Sequence, residues 1–428
     1  MRVLVAAHTC NGVGDGSFVV SSAVFLTRVS GLSPARVGLT LSLAWATGFA
    51  LATPLGHLAD RAGLRRSAVL FALVTASTLA LAAVAVGSAA ALAGLLVLYA
   101  VAQSALGGTR SALLAAAVPA PWRVVARARV QRGVNAGIGA GAALGGLALG
   151  VGTPAAFRAV LAFDALTFVA AAAVLARLPV PPPVATAAAV TGGAARWRSG
   201  VLGDRPYVAA AALSGVLHLY LPMLSVLLPL WIVRRTAAPG WTVAVLFVVN
   251  TTGVLLLQVR AARSVRDLPG AARALRRAGL ALLAACLVLG ASGGPRSVPA
   301  AVAVLVAGAC LQVVGEVLLA AGSWHVGFAL ADPRRPGQWQ GLYSSGVPMA
   351  RAIGPVVLTL VAGWDGPGWA LLGAVLAVAG LLAGPVTAWG GRDRDLAVPR
   401  PGRPLVPAPV PGASGTRRTA STSASSSG

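Results

Sequence analysis

Long apolar runs alternate with short polar breakers along most of this chain. Walking the sequence by these runs predicts twelve membrane-length helices. The first six cover 4–27, 37–59, 67–87, 90–118, 130–151 and 156–177, and the second six 207–233, 241–260, 277–293, 298–325, 339–363 and 368–389. A helix needs about 20 apolar residues to cross a hydrocarbon core. The longest runs exceed that, so tilting or kinking is expected. The first run holds Asp15 near its middle and leads straight into further runs, unlike a cleaved signal peptide. Between the sixes, residues 179–206 carry Pro179 and Pro181-Pro182-Pro183, then Ala, Gly and Arg, and read as a linker. After Gly390 the chain turns Pro-rich and then Ser-rich, a composition with too little apolar surface to offset the entropy of ordering. The expected units are therefore 1–178, a linker at 179–206, 207–390, and a disordered tail at 391–428.

Composition narrows the class. Of 428 residues 57% are hydrophobic and only 10% charged, against about 25% charged in a typical soluble domain. A soluble fold of this length cannot cover so much apolar sequence with polar surface. That excludes a soluble enzyme or a disordered protein and leaves a lipid bilayer as the partner. All 34 basic residues are arginine, against 10 acidic ones, giving a net charge of +24. The arginines sit in short loops, with no basic helix or aromatic stripe to follow a nucleic acid, so no nucleic-acid partner is expected.

With the N-terminus inside, the inner loops hold nineteen arginines: Arg61, Arg65, Arg66, Arg123, Arg127, Arg129, Arg132, Arg177, Arg196, Arg198, Arg205, Arg260, Arg263, Arg266, Arg273, Arg276, Arg277, Arg334 and Arg335. The outer loops hold six: Arg28, Arg36, Arg158, Arg234, Arg235 and Arg296. The positive-inside rule then places both termini in the cytoplasm, and the plasma membrane of a bacterium is the expected location. Cys10, Cys286 and Cys310 lie in apolar runs without CxxC spacing and read as packing residues, so no metal or disulfide is expected.

One loop carries a motif. After the second run come Gly56-His57-Leu58-Ala59-Asp60-Arg61-Ala62-Gly63-Leu64-Arg65-Arg66. Gly56 permits close approach of a neighbouring helix, Asp60 at a helix end offers a charge-assisted contact across an interface, and Gly63 supplies a turn. This stretch resembles the G-x-L-a-D-r-x-G-r-[RK] signature that major facilitator superfamily transporters carry between their second and third helices. Gly56, Leu58, Asp60, Arg61, Gly63, Arg65 and Arg66 match, while Leu64 departs at a usually basic position. The resemblance implies an all-α membrane protein with twelve transmembrane helices in two pseudo-symmetric six-helix bundles, and a loop that latches the halves when the protein is open to the outside.

Weaker likenesses accompany it. The fifth run bears Gly133, Gly137, Gly139, Gly141, Gly145 and Gly146, a face suited to backbone-to-backbone packing. It resembles the family's drug-antiporter motif without that motif's Gly-Pro pair. Gly354-Pro355 occurs instead in the eleventh run. The fourth run has Gln103 before Gly107 where the family usually carries Arg.

Ionisable residues inside the spans are expensive and therefore functional candidates. Asp15 is flanked by Gly12, Gly14 and Gly16, and Glu316 lies four residues beyond Gln312 on one helical face. Both are candidates for proton coupling or substrate contact. Arg110 and Arg351 are the natural counter-charges, since guanidinium stays charged and pairs readily with carboxylate. Asp164 in Phe163-Asp164-Ala165-Leu166-Thr167 reads as a structural hydrogen-bonding residue. Gln103, Asn250, Gln258, Gln312 and His218 are weaker polar candidates for a cavity. Trp45, Tyr99, Tyr220 and Trp231 suit either substrate stacking or the lipid boundary.

The reading that follows is a secondary active transporter of small molecules. Export of a hydrophobic or amphipathic compound in exchange for protons is preferred, and import by the same fold is the nearest alternative. A non-transporting receptor or membrane enzyme fits less well. The chain has no phosphate-cradling G-x-x-x-x-G-K-[ST] run, so neither nucleotide nor other cofactor is expected. His8, His57, His218 and His325 are scattered over separate spans and form no catalytic or metal-binding set.

Overall fold

Helix starts are written into the sequence as short polar caps. Ser33, Ser88, Thr153, Asp204 and Asp267 each accept the backbone N–H three residues on, at 3.4, 3.3, 3.3, 3.2 and 2.6 Å. Proline stands in the first two helical positions after Ser33, Thr153, Asp204 and Asp267, where its missing N–H costs nothing. The computed structural model describes residues 2–26, 33–85, 88–177, 200–294 and 297–397, and these are helical almost throughout, with no strand among them.

The first half contains α1 (Arg2–Val24), α2 (Pro34–Ala62), α3 (Leu64–Val84), α4 (Ala89–Ala117), α5 (Arg123–Val151) and α6 (Pro154–Ala176). The second contains α7 (Arg205–Leu217), α8 (Tyr220–Pro222), a π-helical turn at Met223–Leu227, α9 (Leu228–Arg235), α10 (Thr242–Ser264), α11 (Leu268–Ala291), α12 (Val298–Ala329), α13 (Pro336–Ser344), α14 (Gly346–Gly363) and α15 (Asp365–Ala397). Two hydrophobic cores result. One draws on Phe71, Leu92, Leu106, Phe157 and Phe168, the other on Tyr207, Met223, Leu282, Leu305 and Trp369.

Several expectations need correction. Ten of the twelve expected runs appear among the described residues as helical segments long and apolar enough to cross a membrane. The other two are α1 and the eleventh run, which turns at Ser345 between α13 and α14; both hold residues outside those fully described. The seventh run is helical but irregular, with a two-residue turn at His218 and Leu219 and a π-helical turn at Met223–Leu227. Arg123, Arg127, Arg129 and Arg132 are not in a loop, because α5 begins at Arg123. The last helix continues to Ala397, seven residues past the boundary read at 390, because Arg394 folds back onto the second half. The rest of the 391–428 stretch, and most of the 179–206 stretch, lie outside the described residues.

The glycine face of α5 packs backbone to backbone, and its partner is α1. A Cβ on Gly12 would stand 2.5 Å from the Val134 carbonyl oxygen, and one on Gly137 would press on the carbonyl of Thr9. Only hydrogen fits at these crossings.

Candidate functional site

The motif loop is built as its residue types suggest. Gly63 turns the chain between α2 and α3 with φ of 93°, a left-handed value that favours glycine. Arg61, Arg65 and Arg66 stand exposed around it. Asp60, in the last turn of α2, points away from them to the first turn of α13. Its Oδ1 accepts the Gly337 N–H at 2.6 Å and its Oδ2 the Gln338 N–H at 2.8 Å. An acidic side chain from one half thus caps a helix N-terminus of the other, where unpaired N–H groups and the helix dipole both favour negative charge.

Close approach makes that cap possible. A Cβ on Gly337 would lie 2.5 Å from the Gly56 carbonyl oxygen, and one on Gly341 would lie 2.7 Å from that of Ala52. Across the same end, the Arg127 guanidinium sits 5.7 Å over the Trp324 ring. Leu114, Val124 and Val130 of the first half meet Ala262 and Phe328 of the second in a small shared core. The halves are therefore sealed at the end that bears the Gly63 turn.

Deeper in, the sequence candidates fall into two groups. Asp15 lies partly buried on α1 and accepts a hydrogen bond from Gln103 Nε2 at 3.2 Å, while the same amide donates to the Tyr99 hydroxyl at 3.1 Å. Phe18 and Trp45 pack on Tyr99, with ring centroids 5.5 and 6.3 Å away. Arg110 on α4 and Arg351 on α14 both lie close enough to act on Asp15 electrostatically.

Neither arginine forms a direct ion pair there. Arg110 Nη2 donates to Asn11 Oδ1 at 2.6 Å, and the Arg351 guanidinium stacks 4.5 Å over Trp45. Arg110 Nε and Asn11 Nδ2 are buried without a hydrogen-bond partner among the described residues. Asp164 sits just behind, fully buried against α1. Its carboxylate accepts the Thr167 hydroxyl at 3.3 Å, and Gly14 leaves room for it.

The second group belongs to the C-terminal half alone. Glu316 accepts from Asn250 Nδ2 at 2.7 Å and from Gln312 Nε2 at 2.9 Å, and Tyr220 lies close enough to act on it electrostatically. Asn250 further donates to Gln312 Oε1 at 3.0 Å. No arginine joins this group among the described residues, so the two guanidinium groups serve one carboxylate rather than both. His218 stands apart from Glu316. Its Nδ1–H donates to the Ser214 carbonyl at 2.6 Å, and the Ser214 hydroxyl lies 2.8 Å from that of Ser323.

Other polar contacts gave little sequence signal. Asn11 lies one turn before Asp15 and is reached by Arg110. Arg127 has the composition of a loop arginine, although its place three residues before Val130 at the start of the fifth run hinted at a helix. Asp204 accepts both the Trp339 indole N–H at 3.2 Å and Arg394 Nη2 at 2.8 Å, joining α7, α13 and α15. Among the described residues no group of three or more His, Cys, Asp or Glu side chains is placed to hold a metal ion.

With this geometry in view, residues 4–324 match the family model described as the Major Facilitator Superfamily. No curated protein matches the sequence. Among solved structures the chain is similar to a bacterial homologue of the iron transporter ferroportin in an outward-facing state, with a TM-score of 0.70, 16% identity and coverage of 91% of this chain and 99% of that one. It is also similar to the Escherichia coli fucose:proton symporter FucP, with a TM-score of 0.65, 13% identity and coverage of 90% and 98%. The human organic anion transporter MFSD10 gives a TM-score of 0.62 at 18% identity, with coverage of 90% and 98%. At such identities the likeness is one of fold.

Proposed function

The chain belongs to the major facilitator superfamily, a family of transporters and not of enzymes, and we propose that it exports a hydrophobic or amphipathic small molecule in exchange for protons. In this reading α1 and the α13–α14 pair add two crossings to the ten apolar ones. That makes twelve, arranged as two six-helix bundles at 1–178 and 207–390 with a cytoplasmic linker at 179–206. The arginine-rich loops face the cytoplasm of a bacterium, and both termini lie on that side. The Gly63 end is then the inner gate, held shut by Asp60, and the halves open to the outside.

The observation that carries the reading is the charge group at Asp15. Its two guanidinium neighbours come from different halves, Arg110 from the first and Arg351 from the second. A proton on Asp15 removes the negative charge that both attract and so alters how the halves are held together at the middle of the membrane. Phe18, Trp45 and Tyr99 pack together as an aromatic cluster beside the Gln103 amide that bonds Asp15, which suits a greasy substrate. Coupling requires that proton and substrate favour different conformations, since a ligand that binds both states equally shifts nothing.

Reconstitution in liposomes tests it. With an inward proton gradient, hydrophobic dyes or antibiotics should be pumped outward relative to the protein's orientation, and Asp15→Asn should abolish the gradient-driven part. Flux that follows the proton inward would establish symport instead. Undiminished driven flux in Asp15→Asn would remove Asp15 from the coupling step.

A further inference from the structure

Two helix crossings close the end that bears the Gly63 turn, α2 on α13 and α5 on α10. They are fastened differently. The first has a polar clasp, in which Asp60 takes two N–H groups of the opposite half. At the second, Val124, Ala126 and Val130 of α5 share one small apolar core with Ala262 of α10. Among the described residues no hydrogen bond or ion pair joins α5 to α10.

Arginines flank this second crossing from both halves. Arg129 and Arg132 lie on either side of Val130, and Arg260 and Arg263 on either side of Ala262; all four are exposed. None of them has a hydrogen bond or ion pair among the described residues. The nearest acidic side chain in sequence, Asp267, is engaged with the Gly270 N–H at 2.6 Å. Gln258, one turn before Ala262 on the same face, carries a buried amide nitrogen without an acceptor. The crossing thus presents donors and positive charge from two halves, and no side-chain anion among the described residues meets them.

Their depth points to the partner. At 1.5 Å per residue, Arg132 lies about 29 Å along α5 from its far end at Val151. Arg260 lies about 27 Å along α10 from its far end at Thr242. Both distances approach the thickness of a hydrocarbon core, about 30 Å. The four guanidinium groups therefore stand at the level of the lipid phosphates of one leaflet. Guanidinium meets phosphate oxygens in two-pronged fashion, and basic sites between helices at this level suit anionic head groups.

We infer that an anionic phospholipid with two phosphate groups seats on Arg129, Arg132, Arg260 and Arg263, one phosphate to each half, and clasps α5 to α10. Such a lipid regulates the protein. It favours the conformation in which this end is sealed, because only there do both arginine pairs flank one crossing. The assignment takes from the reading above that the chain spans a bilayer with this end at one face. It takes nothing from that reading about direction, substrate or protons. Arg276 and Arg277 supply the contrast, being equally exposed but on α11, which packs on α12 and α15 of its own half.

The full chain in nanodiscs of zwitterionic phosphatidylcholine, with and without added cardiolipin, tests this. Both faces of a nanodisc meet the same lipid, so neither orientation nor flux enters the measurement. Native mass spectrometry reads the lipid retained, and spin labels on α5 and α10 near the sealed end read the distance between the halves. The wild type should retain one cardiolipin, and cardiolipin should raise the sealed population about fivefold or more, as arginines meeting anionic lipid would do. Arg129→Gln with Arg132→Gln, or Arg260→Gln with Arg263→Gln, should each abolish that rise. Arg276→Gln with Arg277→Gln removes the same charge and should keep it. Unchanged melting in phosphatidylcholine alone shows that a variant is folded. Where a glutamine pair fails to fold, the matching Arg→Lys pair keeps the charge without the fork and should weaken the rise. Equal responses in the crossing and α11 variants would overturn the assignment. So would an equal response to phosphatidylglycerol at matched charge, which would mean general surface attraction. Loss of proton-driven export with the cardiolipin rise intact would refute the export reading and spare this one.

Discussion

The carboxylate of Asp60 accepts the backbone N–H of Gly337 at 2.6 Å, joining the last turn of α2 to the first turn of α13 across the two halves. Its second oxygen takes the Gln338 N–H at 2.8 Å, so one side chain satisfies two of the free N–H groups at that helix start. Removing a helix cap costs about 1–2 kcal/mol. If the sealed end is one of two conformations, Asp60→Ala should shift the balance away from it by about five- to thirty-fold. Spin-label distances between α2 and α13 on the motif side would report this as a broadened or lengthened distribution. Asp60→Asn, which can satisfy only part of the pattern, should fall between. An unchanged distribution in Asp60→Ala would show that the cap follows the closure rather than holding it.

The glycines at this crossing give a sharper test, because they act by space alone. A side chain at Gly341 meets the Ala52 carbonyl at 2.7 Å, backbone that cannot swing aside. Gly341→Leu should therefore open the sealed end even with Asp60 intact, and cysteines placed near Phe328 should become reactive to aqueous reagents. Gly107, where a Cβ meets nothing within 4 Å, is the control, and Gly107→Ala should leave labelling unchanged.

Arg127 and Trp324 make the other named contact across the sealed end, 5.7 Å from guanidinium carbon to ring centroid. A desolvated contact of this kind contributes about 0.5–2 kcal/mol. Lysine keeps the charge but loses the flat face, so Arg127→Lys should recover only part of what Arg127→Ala loses. A double-mutant cycle with Trp324→Leu, read as thermal stability in detergent, should give a coupling of roughly that size.

Much of this was legible in the sequence, and the limits have physical causes. Apolar runs reveal where helices lie, because length and hydropathy are local. They do not reveal irregular turns inside a uniformly apolar run, so the turn after Leu217 and the π-helical stretch at Met223–Leu227 passed unseen although Pro222 and Pro229 were in view. Arginines near a span end look alike whether they face water or, as Arg127 does, an aromatic ring of the other half. The motif indicated that Asp60 makes a contact but not with what, since its partner lies 277 residues away. The same distance in sequence hid the pairing of charges. Arg110 and Arg351 suited either carboxylate by type, and only the folded chain sets both near Asp15.

Asp15 and Asp164 are both acidic and both inside the first half, yet their surroundings differ. Asp164 is fully buried against α1 and its bonds are to Thr167 of its own helix, with no arginine acting on it, whereas Asp15 faces groups from two other helices. Asp164→Asn keeps the shape and the acceptor, so it should retain most proton-driven flux while lowering thermal stability modestly. Asp15→Asn should retain stability and lose driven flux. The opposite pattern in paired flux and melting measurements would exchange their roles.

The tie between Asp204 and Arg394 concerns the second half alone. Arg394 Nη2 lies 2.8 Å from Asp204 Oδ2, with side chains 28% and 20% exposed, and it also reaches the Leu330 carbonyl. Partial exposure limits the worth of the ion pair itself to about 1 kcal/mol or less. The same carboxylate, however, caps α7 and holds the Trp339 indole N–H at 3.2 Å. Asp204→Ala should therefore cost more than Arg394→Ala, because it also uncaps a helix and strands an indole donor. A double-mutant cycle on thermal stability should return a coupling smaller than either single loss. Equal losses for the two single variants would mean that the ion pair alone, and not the shared role of Asp204, fastens the end of α15 to α7.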